Sequence, residues 1–187
     1  MLNDKQPIID FLNHYLALAT IIGFVFVAFW VIGIIGTTYL KRKCYISIFF
    51  KKFGLPFGFL AALGGTIMSL FYSDYLGVLP CGLCWFQRVA LYSLVFIFGV
   101  AWFKKDKNIF PYVLTLSIFG EIVALYHHYL QMGYSELLPC PVVASTIDCA
   151  KPTFVEFGFV TFPFMSVVMF AFLIVLSLVN MYDKRNN

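Results

Sequence analysis

The sequence predicts an all-α integral membrane protein with five transmembrane helices, and three observations carry that prediction. The first is composition: 61% of the 187 residues are hydrophobic and 12% are charged. A soluble domain carries about 25% charged residues, so this chain has too few to cover a water-facing surface. The second is a set of five long apolar runs, since roughly 20 such residues cross ~30 Å of hydrocarbon. The third is that basic residues gather at the edges of those runs, which is how membrane topology is written. The length admits one membrane domain without a large soluble one.

The first run, Tyr15 to Leu40, contains no charged residue. It reads as a span rather than a cleaved signal peptide. The segment before it holds Asp4 and Asp10 against a single Lys5, the run is long, and no small-residue cleavage site follows. Phe53 to Ser73 is the second run, with Pro56 expected in its first turn. Its Gly64-Gly65 pair is expected to allow close helix packing. Trp85 to Phe103 is broken by Arg88, and Asn108 to Met132 by Glu121. Phe162 to Tyr182 follows, with Pro163 at its entry. The aromatic stretch Phe154 to Thr161 is expected along the membrane interface, set off by Pro152 and Gly158. The chain divides into residues 1–54, a first helix and its loop, and residues 55–187, a four-helix domain.

Five spans put the termini on opposite sides. The basic groups are Lys41-Arg42-Lys43, Lys51-Lys52, Lys104-Lys105 with Lys107, and Lys184-Arg185. Placing them in the cytoplasm satisfies the positive-inside rule for ten of the 13 Lys and Arg residues. They need no nucleic acid as a partner. Tyr72, Tyr75, Trp85, Tyr129 and Tyr182 then fall in interfacial belts. The N-terminus and the loops Asp74–Cys84 and Gly133–Thr161 lie outside. Both close cysteine pairs, Cys81/Cys84 and Cys140/Cys149, are thus extracytoplasmic, where disulfides persist. Cys44 falls in the cytoplasm as an inert thiol.

Cys81-Gly82-Leu83-Cys84 is a Cys-x-x-Cys motif where an apolar helix begins. Unpaired N–H groups and partial positive charge at a helix N-terminus favour a thiolate, and the thiolate is the nucleophile. A structural disulfide and half a zinc site are the alternatives. Zinc needs a second close doublet. Cys140 and Cys149 are separated by eight residues, and histidine is limited to His14, His127 and His128. No metal is therefore expected.

Arg88 lies four residues after Cys84, on the same helix face. An arginine within a span is costly and usually functional. It suits stabilising a Cys84 thiolate or holding a carbonyl-bearing ligand there, with snorkelling to headgroups as the alternative. Gln87 is a weaker candidate beside it. The loop of Cys140 and Cys149, with Pro139, Pro141, Ser145 and Asp148, is within reach of a soluble partner. A simple loop staple is the alternative there. Glu121 suits a protonated, hydrogen-bonded role between helices, ahead of a proton relay or a pair with Arg88. His127 or His128 is placed for proton transfer near the redox pair or, alternatively, faces headgroups. Two outward-facing pairs can exchange a disulfide. A lipid-soluble quinone, ubiquinone or menaquinone, is the obvious electron acceptor.

The run Pro80-Cys-Gly-Leu-Cys-Trp-Phe-Gln-Arg88 resembles the signature of the DsbB family of disulfide bond formation proteins. Tyr126-His-His-Tyr-Leu-Gln131 resembles that family's third core helix, and Cys140 and Cys149 resemble its second pair. The short spacing of that pair is similar to the BdbC-type members. The resemblance covers roughly Leu55 to Tyr182. It implies a four-helix bundle in a bacterial cytoplasmic membrane and a bound quinone. It also implies a mixed disulfide between Cys140 and a DsbA-like thioredoxin-fold partner. Cys149 would exchange with Cys81, Cys84 and Arg88 would face the quinone, and His127 is the favoured histidine. The extra span Tyr15–Leu40 departs from the pattern, as a packing accessory or the mark of a dedicated partner. A vitamin K epoxide reductase-like enzyme is disfavoured, because there the Cys-x-x-Cys follows the loop cysteines. A non-catalytic protein with two structural disulfides is the remaining alternative.

Overall fold

The computed structural model describes residues 6–39, 45–135, 140 and 148–184. It contains five helices: α1 (Gln6–Tyr39), α2 (Tyr45–Leu70), α3 (Gly82–Lys104), α4 (Phe110–Gln131) and α5 (Phe162–Lys184). All five are long and apolar enough to cross a membrane. Helix α2 packs on α3, α3 on α4, α4 on α5, and α5 back on α2, closing a four-helix ring. Helix α1 stands outside that ring, mainly against α5. The expected architecture of four helices plus one is the one observed.

Helix α2 begins at Tyr45, so Pro56 lies inside it and not in its first turn. Lys51 and Lys52 are helical because a lysine stem can lie along apolar surface while its ammonium reaches water. Helix α1 begins nine residues before Tyr15 and spans 34 residues. At 1.5 Å per residue that is about 50 Å, more than the hydrocarbon core. Its first turns thus reach the polar zone, where His14 Nδ1 lies 3.7 Å from Glu156 Oε2. Helix α2 ends in a π-helical turn, Phe71–Tyr75, a device that re-aims side chains near functional sites.

The aromatic stretch before α5 is a tight turn closed by an antiparallel bridge between Glu156 and Val160. Gly158 holds it with a φ of 79°, a conformation that glycine adopts without steric cost. Phe154 then packs edge-on against Phe162 at the head of α5, with ring centroids 4.5 Å apart.

The core of the ring is aromatic and aliphatic: Phe98, Phe110, Phe170, Leu94, Leu173 and Leu176 are buried. Its tightest approaches to aromatic rings are at Gly58 and Gly120; of the expected Gly64-Gly65 pair, Gly65 is close, with Leu91 3.2 Å from where a Cβ would sit, and Gly64 is not. A Cβ on Gly58 would collide with the Phe98 ring, and one on Gly120 with the Phe170 ring, whereas one on Gly64 would meet nothing within 4 Å. Phe170 is only 1% exposed and cannot step aside. Gly120→Ala is therefore expected to destabilise the bundle by about 1–3 kcal/mol, the usual cost of overpacking. A lowered thermal unfolding midpoint in detergent would show it.

Candidate active site

Cys81 is the N-cap of α3. Its backbone is extended, at φ −78° and ψ 175°, and its Sγ accepts a hydrogen bond from the Cys84 amide at 3.4 Å. One turn of helix returns the Cys84 sulfur to within 3.0 Å of the Cys81 sulfur. The pair is therefore set to close or open with little backbone movement. Cys81, as the N-cap, is the sulfur of the pair that the helix N-terminus favours as an anion.

His127 reaches this pair from α4. It is 1% exposed, and its Nε2 lies 3.5 Å from Cys81 Sγ. Gln87 Nε2 is 3.1 Å from the other ring nitrogen, Nδ1. Gln131, one helical turn beyond His127, places its Nε2 3.1 Å from His127 Nε2. These amides fix the ring against Cys81. His128 points elsewhere, with Nδ1 3.1 Å from Thr161 Oγ1. The geometry separates two adjacent histidines that sequence spacing could not.

The Cys81 thiol is held well below its ordinary value. The hydrogen bond from the Cys84 thiol is the largest cause; burial opposes it, and His127 and the Cys84 amide add to it. An ordinary cysteine ionises near ~8.5. In the dithiol protein one thiolate should therefore persist at pH values well below that, and vanish only as pH falls through the depressed value. His127→Ala should move this midpoint upward. Thiolate ultraviolet absorbance against pH measures both, and a wild-type midpoint in the ordinary range would refute the assignment.

Cys140 and Cys149 are joined in a disulfide, with Cα atoms 6.1 Å apart. Cys149 is buried and Cys140 half-buried. Cys81, Cys149, Leu83 and Leu130 form one buried apolar cluster, with Cys84 and Cys140 packed against it. The two pairs are thus neighbours in space although far apart in the chain. Pro139, Pro141 and Ser145 of that loop, and Cys44, lie outside the described residues.

Arg88 is 9% exposed. Its Nε donates to Ser69 Oγ and its Nη2 to the Ser69 carbonyl, each at 2.8 Å. The guanidinium carbon also sits 5.4 Å from the centre of the Trp85 ring. This is a held arginine facing inward, not one snorkelling to headgroups. Its observed bonds go to Ser69 and not to Glu121, whose Oε2 is buried with no partner among the described residues.

Arg88, Ser69, Gln87 and Cys84 line a cavity of about 560 Å³, and His127 contributes to its wall. Cys84 borders it and Cys81 does not. The rest of the lining is mostly apolar, from α1, α2 and α5. A volume of ~300–1,000 Å³ with a few convergent polar groups is typical of a small-molecule site.

Three soft donors also meet here: the ligand atoms of Cys81, Cys84 and His127 lie within 4.8 Å of one another. A resident metal would need both sulfurs as thiolates, and forming the Cys81–Cys84 disulfide consumes both. Metal binding and redox cycling at this pair exclude one another.

Sequence reasoning gave no role to Ser69, Gln131 or Asn13, and it placed Tyr72 in an interfacial belt, whereas Tyr72 is buried and bonded to Asn13. Gln131 was accessible, since it lies four residues from His127 on one helix face. Ser69 carries no signal of its own in an apolar run.

A helical membrane bundle with a Cys-x-x-Cys at a helix N-terminus and a second disulfide in the same cluster defines a membrane thiol–disulfide oxidoreductase. The comparisons agree. The family model "Disulfide bond formation protein DsbB" matches residues 51–180, and the chain belongs to that family. The SPbeta prophage-derived disulfide bond formation protein B of Bacillus subtilis is 42% identical over 121 residues, 65% of this chain and 80% of that one. Disulfide bond formation protein C of Bacillus subtilis is 35% identical over 118 residues, 62% of this chain and 83% of its own. A probable disulfide formation protein of Chlamydia caviae is 35% identical over 122 residues, covering 65% and 87%. No solved structure matches the chain.

Proposed function

We propose that this disulfide-forming enzyme reoxidises an extracytoplasmic, DsbA-like thioredoxin-fold partner and passes the electrons to a membrane quinone. The observation that carries this reading is the division of labour at the Cys-x-x-Cys. Cys81 belongs to the cluster that holds Cys149, while Cys84 borders the cavity with Arg88. The cell membrane is the bacterial cytoplasmic one, and the basic end of the bundle, with Lys104, Lys105 and Lys107, faces the cytoplasm.

The exchange proceeds by thiolate attack on sulfur. A partner thiolate attacks Cys140, the more exposed loop sulfur, and Cys149 leaves as a thiolate. The partner's second thiol then displaces Cys140, so the partner departs oxidised and the loop pair is reduced. Cys149 attacks Cys81 of the Cys81–Cys84 disulfide, and Cys84 leaves as a thiolate beside Arg88. Cys140 resolves the Cys149–Cys81 bond, restoring the loop disulfide and leaving Cys81 and Cys84 as a dithiol. A quinone bound in the cavity supplies a two-electron, two-proton acceptor for that dithiol. His127, held by Gln87 and Gln131, is placed to take the Cys81 proton. The cavity fits such a ligand because Ser69, Gln87, Arg88 and His127 join Cys84 in its wall and the rest of its lining is mostly apolar.

Cys149→Ser tests the partner half. In this variant Cys140 is a free thiol, which is expected to attack the disulfide of the oxidised partner and expel the partner's second thiol; alkylating that thiol traps the mixed disulfide for mass spectrometry. Failure to capture any thiol oxidase from membranes of the producing cell would refute the proposed partner.

A further inference from the structure

Helix α1 lies wholly before the family-matched residues 51–180, yet it is built into the ligand cavity. It is pinned at both ends. Near the redox end, Tyr72 Oη donates to Asn13 Oδ1 at 2.7 Å, and both residues are buried. Near the other end, Trp30 is fully buried, stacks on Phe50 with centroids 4.5 Å apart, and donates from Nε1 to Ser47 Oγ at 3.2 Å. Between these anchors α1 does not close on α2. Leu16, Ala19, Thr20, Gly23 and Val27 form one face of α1, and that face lines the cavity that holds Cys84 and Arg88.

The opposite wall is equally open. Gly64 of α2 lines the cavity, and a Cβ there would meet nothing within 4 Å. The space therefore runs from a polar head at Ser69, Gln87 and Arg88 into an apolar cleft between α1 and α2. A ligand that matches it has a small ring with hydrogen-bond acceptors and a long aliphatic tail. Leu16 to Val27 alone spans about 16 Å of helix at 1.5 Å per residue, room for more than a ring.

We propose that α1 is the second wall of the acceptor's tail channel and selects quinones that carry a polyisoprenoid tail. This rests on the quinone reading above and assigns a role to a helix that stands outside the four-helix ring. Ala19, Thr20 and Gly23 are the specificity-determining residues. The Asn13–Tyr72 bond positions their helix.

The test is equilibrium binding, with no turnover. The full chain, oxidised and in lipid nanodiscs, is titrated with a long-tailed quinone and with a tail-less quinone of the same ring, and tryptophan fluorescence quenching is followed. The wild type is expected to bind the tailed form at least tenfold more tightly. Ala19→Phe should remove most of that advantage and leave tail-less binding unchanged. Gly64→Leu, which builds into the cleft from the other side at a position where a Cβ meets nothing within 4 Å, should do the same. Thermal unfolding and an intact Cys140–Cys149 disulfide verify that both variants fold. Loss in Gly64→Leu with none in Ala19→Phe would overturn the role of α1. Unchanged affinity in both would overturn the tail channel. A wild type that binds neither quinone would instead refute the quinone reading itself.

Discussion

Replacing Cys84 with serine is expected to reduce electron transfer from the dithiol protein to added quinone to the uncatalysed background. Cys84 is the sulfur of the pair that borders the cavity beside Arg88. A serine hydroxyl is nearly isosteric but cannot form the disulfide through which two electrons leave. The loop disulfide Cys140–Cys149 should still form, because its two sulfurs meet without Cys84. Quinol formation followed by absorbance, with disulfide content read by thiol alkylation, separates these outcomes. Unchanged quinone reduction would show that the electrons leave from another sulfur.

Arg88→Ala is expected to raise the KM for quinone about tenfold or more, with both disulfides still able to form. A hydrogen bond to a charged donor contributes ~1.5–3 kcal/mol, and about 1.4 kcal/mol corresponds to a factor of ten. The substitution also strips Ser69 of both observed partners, which predicts a lower thermal stability. Arg88→Lys should recover part of the stability but little of the KM. An ammonium cannot reproduce the planar fork that bonds two Ser69 oxygens and still faces the cavity. Loss of disulfide formation in Arg88→Ala would point to a purely structural arginine.

Fold and chemistry were legible to different depths. The five spans and their alternation follow from one-dimensional signals, apolar length and flanking charge. Their ends were less legible. Helix α1 includes Pro7–His14 and α2 includes Tyr45–Lys52, because polar and charged residues can continue a helix that is already nucleated. Arg88 beside Cys84 was readable because i, i+4 spacing on one helix is local arithmetic. The choice of His127 over His128 rested on resemblance alone until the ring was seen against Cys81.

The sequence by itself determined an all-helical membrane protein, the Cys-x-x-Cys at a helix N-terminus, and the arginine one turn inside. The tertiary structure decided which distant residues meet: Ser69 with Arg88, 19 positions apart; Cys81 with His127, 46 apart; and Asn13 with Tyr72, 59 apart. It also placed Cys149 beside Cys81 and turned an extra helix into a cavity wall. The reason is physical. A helix in lipid is apolar nearly all round, so its sequence does not reveal how it is rotated about its axis. Packing between helices sets that rotation, and the rotation sets which side chains share a site.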